Sequence, residues 1–123
     1  MNKSDREMKY FQWIHEAEKA GNEAAKEAAK HLKSYAIMQN GVQIDTLHGL
    51  CGFAWVKIKN GKSSLARFMV KEKLADKGTY GGVEVWVGVG GQSVDIKSAY
   101  ARAYARKLSE LSGEEAVGQS RLD

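Results

Sequence analysis

The chain has 123 residues, with 19 Lys and Arg against 15 Asp and Glu, one cysteine and no proline. This length suits one domain, and the 43% apolar content is ordinary for a globular protein. The composition excludes an internal disulfide, and no apolar run is long enough to span a membrane or to form the core of a secretory signal peptide. We therefore expect a protein of a reducing cytoplasm, with no membrane partner.

The first third of the chain predicts one long helix over residues 4–34. Ser4 at the N-cap and Glu7 three positions later form a capping box, and small or apolar residues recur at spacings of three and four. Gly21 is a weak point, because glycine inside a helix costs about 1 kcal/mol relative to alanine, so a break there is an open alternative. The Ala-rich half after Gly21 suits either an oligomerisation arm or a solvated helix.

A short β-hairpin is predicted over residues 36–45. The pair Asn40-Gly41 lies between two short apolar-containing runs. Such a pair favours a tight hairpin turn because both of its residues readily adopt positive φ.

Residues 50–111 predict a β-α-β-α unit that forms the core of the domain. Alternation of side chains favours strands over 50–59 and 83–89, with Cys51 expected as a small buried residue at the start of the first strand. Helical periodicity favours helices over 63–77 and 94–111. The first helix is expected to end at Gly78 as its C-cap, and the second to begin at Ser93 as its N-cap.

The expected fold class is α+β, with a long N-terminal helix and a short hairpin followed by a two-layer β-α-β-α unit. All of residues 1–123 form one domain in this interpretation, and residues 112–123, which have no periodic pattern, are predicted to be a mobile tail. A strand-helix-strand connection usually makes its two strands parallel. Both Gly/Ser loops, 60–64 and 88–93, would then open at the same sheet edge, where open α/β sheets bind ligands.

Neither Gly/Ser loop completes a nucleotide-binding motif. Gly61-Lys62-Ser63 is similar to the end of a P-loop, but the motif requires a glycine where this chain has Val56. The segment 88–93 is similar to part of a dinucleotide fingerprint, but the unit is too short for that fold. Backbone N–H groups near Ser63 and Ser93 could still hold a phosphate, although turn formation and helix capping explain the same residues.

Positive charge is concentrated in the second half of the chain. Residues 57–107 hold eleven Lys and Arg against four Asp and Glu, a net charge of +7. Such an excess attracts polyanions, and a solvated surface explains it equally well. The candidate contacts to an anionic partner, chiefly nucleic acid, are Lys62, Arg67, Lys71, Lys73, Ser93, Arg102 and Arg106.

Three aromatic residues, Phe53, Trp55 and Trp86, are predicted to share one face of the sheet with Lys57 and Glu84. An aromatic sheet face flanked by cations is one way in which proteins stack nucleotide bases. The alternative is that the N-terminal helix or a second subunit covers this face, which is favoured because the exposed rings would form a sizeable apolar patch. The three aromatic residues are therefore assigned to a homo-oligomer face.

Enzymatic activity has the least support in the sequence. Asp45, His48 and Cys51 recur every third residue, but a zinc site usually has four ligands in paired spacings. No pair of carboxylates and no nucleophile with a neighbouring base stands out. We expect a non-enzymatic protein with no catalytic residue, metal or cofactor.

Five short segments in the second half of the chain form a recognisable pattern: CGFAWVKIK from Cys51, YGG from Tyr80, GQS from Gly91, AYARAY from Ala99 and SRLD from Ser120. Over residues 50–123 this pattern resembles a family of small uncharacterised tailed-phage proteins. The resemblance implies a phage origin and expression in the cytoplasm of a bacterial host. Because that family has no settled activity, the resemblance implies no catalytic residues.

These patterns together predict a phage-type accessory protein that binds an anionic partner, chiefly nucleic acid, through a basic face. A second hypothesis is a homo-oligomer that inhibits a host protein or serves phage assembly. A third is that the Gly/Ser loops sequester a nucleotide-like small molecule.

Overall fold

A computed structural model describes residues 2–40, 51–91 and 93–122, with the side chains of residues 2–32 in the first of these ranges. The fold is α+β, as predicted. The elements in chain order are α1 (Lys3–Asn40), β1 (Gly52–Ile58), α2 (Ser64–Lys71), β2 (Asp76–Lys77), β3 (Val83–Trp86), α3 (Val94–Ser112) and β4 (Ala116–Leu122).

The four strands form one antiparallel sheet in the order β2-β3-β1-β4. The prediction that β1 and β3 are parallel neighbours is therefore wrong. The helix α2 crosses from β1 to β2, which runs parallel to β1, and a hairpin then inserts β3 between them. This is the split β-α-β, or ferredoxin-like, arrangement. The sequence analysis missed β2 because a strand of two residues has no alternation to recognise.

The two Gly/Ser loops lie at opposite ends of the sheet. The first loop follows the end of β1, whereas Ser93 forms an isolated bridge with Cys51, just before β1 begins. Antiparallel pairing of β1 with β3 requires this separation. The predicted common edge for both loops is therefore wrong.

The helix α1 is longer than predicted and is not broken at Gly21. It runs to Asn40, so residues 36–39, the first arm of the predicted hairpin, are helical; residues 41–45 lie outside the described residues. A Cβ atom at Gly21 would lie 2.8 Å from two ring carbons of Tyr100. Glycine therefore lets α3 approach α1 closely, which accounts for its place in mid-helix.

The helix α2 is shorter than predicted. Its N-cap is Ser63, a role that the sequence had left open beside a phosphate contact, and the Ser63 hydroxyl accepts the N–H of Ala66 at 3.1 Å. After Lys71 the chain turns through Lys73, whose φ of 62° is left-handed, into β2. Gly78 is therefore not the C-cap of α2: its N–H donates to the Gly82 carbonyl at 3.0 Å in the β2-β3 hairpin.

Residues 112–123 were predicted to form a mobile tail, which is wrong for the part that the structure describes. Gly113, in the left-handed region with φ of 77°, ends α3, and β4 then pairs with the whole length of β1. The Ser109 hydroxyl holds the turn by donating to the Ala116 carbonyl and accepting the Ala116 N–H. An edge strand with a polar exposed face lacks the apolar alternation that sequence analysis looks for.

The hydrophobic core lies between the inner face of the sheet and the three helices. Buried side chains of all three helices join those of β1: Ile14, Ala54, Val56, Ile58, Met69, Tyr104 and Leu108. The odd-numbered residues of β1 point the other way. Within the described chain, α2 and α3 thus pack on the inner face with α1 against α3, and the outer face carries the aromatic residues. None of the described helices combines the length and apolar character needed to cross a bilayer.

Candidate functional site

The rings of Phe53, Trp55 and Trp86 form a cluster on the outer face of the sheet, which we call the aromatic platform. Trp55 and Trp86 are directly opposite each other in the β1-β3 register, and their ring centroids are 4.9 Å apart at an angle of 31°. Phe53 meets Trp86 edge-on, at 6.4 Å and 74°. The alternation of the two strands predicted this shared face.

The platform is partly open to solvent. Trp86 is 45% exposed, and Phe53 and Trp55 are half-buried. The long helix α1 packs against the inner side of the molecule, so the expectation that the N-terminal helix covers the aromatic face is wrong for the described residues. The platform therefore presents ring surface on the side that the described helices do not occupy.

Two cations lie over the Phe53 ring at one end of the platform. The Lys97 ammonium is 5.5 Å from the ring centroid, and the Arg121 guanidinium carbon is 5.4 Å away. Both distances fall within the range of cation-π attraction. Lys97 is held in place because its ammonium donates to the Gly52 carbonyl at 3.2 Å, whereas Arg121 is exposed and available to a ligand.

A hydrogen bond orients Trp55 within the platform. Its indole Nε1–H donates to Gln119 Oε1 on the neighbouring strand β4 at 2.7 Å. The polar atom of the indole is satisfied, so the ring can present its face to a ligand without leaving an unpaired donor.

An open cleft of about 410 Å³ adjoins the platform at the edge of the sheet. It lies between the first half of α3 and the end of β4, and it contains Arg102 and Arg121 with Asp95 and Ser98. Because Arg121 belongs to both the cleft and the cation-π contact, the two features are continuous. One of the predicted phosphate contacts, Arg102, therefore lies in the cleft that adjoins the platform through Arg121.

The opposite end of the outer face is electrically balanced. Lys57 pairs with Glu84 across the strands at 3.7 Å, and each side chain is only 14% exposed. The turn that contains Gly78 lies against this pair. The free positive charge of the outer face is thus at the Phe53 end.

The predicted basic face does not form one continuous surface. Arg67 and Lys71 lie on α2 beside the first two turns of α1, while Arg102 lies at the edge of β4, with Arg106 exposed one turn further along α3. The strand order β2-β3-β1-β4 places these groups at opposite sides of the molecule. Lys62 and Lys73 are exposed in the segments flanking α2.

Ser93 does not fit the role of a ligand contact. Its side chain is fully buried, and its hydroxyl accepts the N–H of Ile96 at 3.3 Å as the N-cap of α3. Cys51 also differs from expectation, because it is exposed and not buried. Asp45 and His48 lie outside the described residues; among the described ones, no three His, Cys, Asp or Glu side chains converge.

Sequence analysis did not select Lys3, Arg6, Lys97 or Arg121. The first two belong to a helix that contacts α2 only through tertiary packing, and Arg121 lies in the segment that was predicted to be a tail.

Comparison of this chain with known protein families, curated proteins and solved structures finds no match.

Proposed function

We propose that this protein is a non-enzymatic binder of single-stranded nucleic acid, which it holds on the outer face of its sheet. Bases stack on the aromatic platform, and Arg121 and Arg102 contact phosphates beside it. The observation that supports the proposal is the clustering of three aromatic rings on the two central strands, away from the described helices, with two cations over Phe53.

The platform suits unpaired bases. Stacking of one base on an aromatic side chain contributes about 1–3 kcal/mol and tolerates any base, because every base has a π face. Bases within a duplex are already stacked on each other, so their faces are not accessible. Four-stranded sheets that recognise single-stranded RNA stack two or three bases on aromatic residues in this way. This chain shares with those sheets the four strands and the aromatic side chains on the exposed sheet face.

The cations favour a nucleic acid over a second copy of the chain as the occupant. In a two-fold dimer the same patch faces itself. Such an interface through the platform would bring the exposed Arg121 side chains of both copies towards one apolar surface, where unpaired charge is costly. A phosphate backbone neutralises the same cations. We also infer, from the resemblance of residues 50–123 to tailed-phage proteins, that binding takes place in the cytoplasm of an infected bacterium.

The test is fluorescence anisotropy of a labelled ten-nucleotide single strand and of the matching duplex at several salt concentrations. We expect tighter binding of the single strand. Replacing Trp86 or Trp55 by alanine should weaken that binding by about 5- to 150-fold, the equivalent of the loss of one stacked base. Tyr80→Ala is the matched control, because Tyr80 is 94% exposed and lies outside the platform.

Two results would contradict the proposal. One is equal affinity of Trp86→Ala and the unaltered protein for the single strand, and the other is no preference for the single strand over the duplex. A platform-mediated dimer that dissociates in Trp86→Ala, together with no nucleic-acid binding, would instead support the homo-oligomer hypothesis.

A further inference from the structure

A groove of about 400 Å³ lies between the first turns of α1 and the outer side of α2, far from the aromatic platform. Residues three, four and seven positions apart share one face of a helix, which brings the α1 residues of the groove together. Arg67 and Lys71 are four positions apart on α2. The lining residues are Lys3, Arg6, Glu7, Tyr10, Ser64, Arg67, Phe68 and Lys71.

The groove carries an excess of positive charge. Four cations surround one carboxylate, Glu7, and that carboxylate is 3.6 Å from the Lys71 ammonium. Among the residues that the structure describes, Lys3, Arg6 and Arg67 have no acidic partner within 4.0 Å. Cations gathered in this way repel one another, and an anion bound between them removes that repulsion.

The groove also offers a hydrogen-bond donor, the hydroxyl of Ser64. The Tyr10 hydroxyl donates to Ser64 Oγ at 2.8 Å, which leaves the hydrogen of the Ser64 hydroxyl free to donate to a ligand. The Tyr10 ring packs on Phe68 with centroids 5.2 Å apart. Both rings are buried, so the groove presents cations and a hydroxyl and no ring face on which a base could stack.

We infer that this groove is a second nucleic-acid contact, which binds a phosphodiester backbone without reading its bases. The helices lie on the inner side of the sheet and the platform on its outer side, so the two sites face in different directions. One molecule can therefore hold two segments, one by its bases and one by its phosphates. The inference does not depend on the platform, because the groove contacts need no base.

The probe is a labelled ten-unit abasic oligodeoxynucleotide, which has phosphates and no bases and therefore removes base stacking on the platform from the measured affinity. Its anisotropy is measured at several salt concentrations with Arg6→Glu/Arg67→Glu. We expect the affinity to fall by at least about tenfold, and the slope of log K against log salt to become shallower by about 1.4, since each lost phosphate contact removes about 0.7. The neutral variant Arg6→Gln/Arg67→Gln removes the same two charges without reversing them. It replaces the first variant if charge reversal impairs folding, and the same change of slope is expected.

Lys19→Glu/Lys26→Glu is the matched control. It makes the same change of net charge on an exposed part of α1 whose neighbours include Glu18 and Glu23. We expect it to lose less than about threefold in affinity, because only the general field of the protein changes. Trp55→Ala/Trp86→Ala should bind the abasic strand as the unaltered protein does, so this site and the platform can fail separately.

Three outcomes would overturn the inference. The first is no binding of the abasic strand at low salt, and the second is an equal loss in the Lys19/Lys26 control, which would assign binding to net charge. The third is a competition result in which inorganic tripolyphosphate displaces the labelled abasic strand more effectively than an unlabelled abasic strand does, when both competitors are compared at equal phosphate concentration. The groove would then serve a free polyphosphate and not a nucleic-acid backbone.

Discussion

Two tyrosines show how single contacts within the helical layer affect stability. Tyr100 and Tyr104 lie on the side of α3 that meets α1, and their ring centroids are 5.9 Å apart. Burial, and to a smaller extent the nearby Glu18 carboxylate, raises the pKa of Tyr104 well above its usual value, and the pKa of Tyr100 shifts in the same direction. Both side chains are therefore held neutral in the folded protein.

The free energy of unfolding should fall when the pH rises above about 10. In that range the unfolded chain loses the Tyr104 proton while the folded chain keeps it, which costs about 1.4 kcal/mol per pH unit for one proton. The stability from this group is thus fully present below pH 10 and is lost above it. Urea unfolding of the unaltered protein and Tyr104→Phe between pH 8 and 11 measures the effect.

Lysine ionisation occurs in both proteins, so the difference between them isolates Tyr104. We expect a shallower loss of stability with pH in Tyr104→Phe. Parallel pH profiles would mean that Tyr104 ionises as easily in the folded chain as in the unfolded one.

Local chemistry predicted one helix cap correctly and another wrongly. Ser93 was expected as the N-cap of α3 and is so, because a cap depends only on the three residues that follow it. The predicted N-cap of α1, Ser4, is wrong: the helix begins at Lys3, and the Asn2 side chain accepts the N–H of Asp5 at 2.9 Å. The same local patterns could not show that Ser93 would be buried, since its burial depends on the bridge to Cys51 at the start of β1.

Among the secondary-structure elements, β4 decides the shape of the candidate site. It supplies Gln119, which orients Trp55, and Arg121, which lies over Phe53. Its place in the sheet depends on a close approach to α3 at Gly118, where a Cβ atom would lie 2.7 Å from the backbone nitrogen of Arg102. Glycine is required there because a rigid helix backbone cannot move aside for one side chain.

Gly118→Ala is therefore expected to destabilise the protein by about 1–3 kcal/mol, the usual cost of overpacking a tight contact. Gly88→Ala is the control, because no atom lies within 4 Å of a Cβ at that position. Chemical denaturation of the two variants provides the comparison. Equal midpoints for Gly118→Ala, Gly88→Ala and the unaltered protein would show that β4 does not pack against α3.

The secondary-structure elements also differ in how well sequence patterns predict them. The strands β1 and β3 and the helices have clear periodicity and were predicted in type, with errors at their ends. The strands β2 and β4 were missed, the first because it is so short and the second because it is a polar edge strand. The connection between β1 and β3 was misassigned for the same reason.

At the scale of the whole molecule, the positive charge divides into two separate groups. One lies at the β4 edge of the sheet, where Arg121 contacts Phe53, and the other lies in the α1-α2 groove. The excess in residues 57–107 led to the prediction of one basic face and not of this division, because charge counts along a chain carry no information about direction.

Light scattering provides a test at this scale. If the platform is free to bind nucleic acid, Trp86→Ala should have the same molar mass in solution as the unaltered protein, because the substitution removes ring surface that no second copy covers. The molar mass should be unchanged whether the unaltered protein is a monomer of 13.6 kDa or an assembly formed through α1. A dimer of the unaltered protein that becomes monomeric in Trp86→Ala would show that the platform is an interface.

The residue order alone was enough to indicate the helices, the N-cap of α3, the two central strands and the alternation that puts Phe53, Trp55 and Trp86 on one face. Each of these depends on neighbours within a few positions along the chain. The direction of strand pairing, the side of the sheet on which α1 packs, and the meeting of Arg121 with Phe53 or of Arg6 with Arg67 emerged only in the folded chain. These features depend on contacts between residues far apart along the chain, such as Ile58 with Val83 and Phe53 with Arg121. The energies of such contacts reflect packing of the whole core and leave no periodic trace in the sequence.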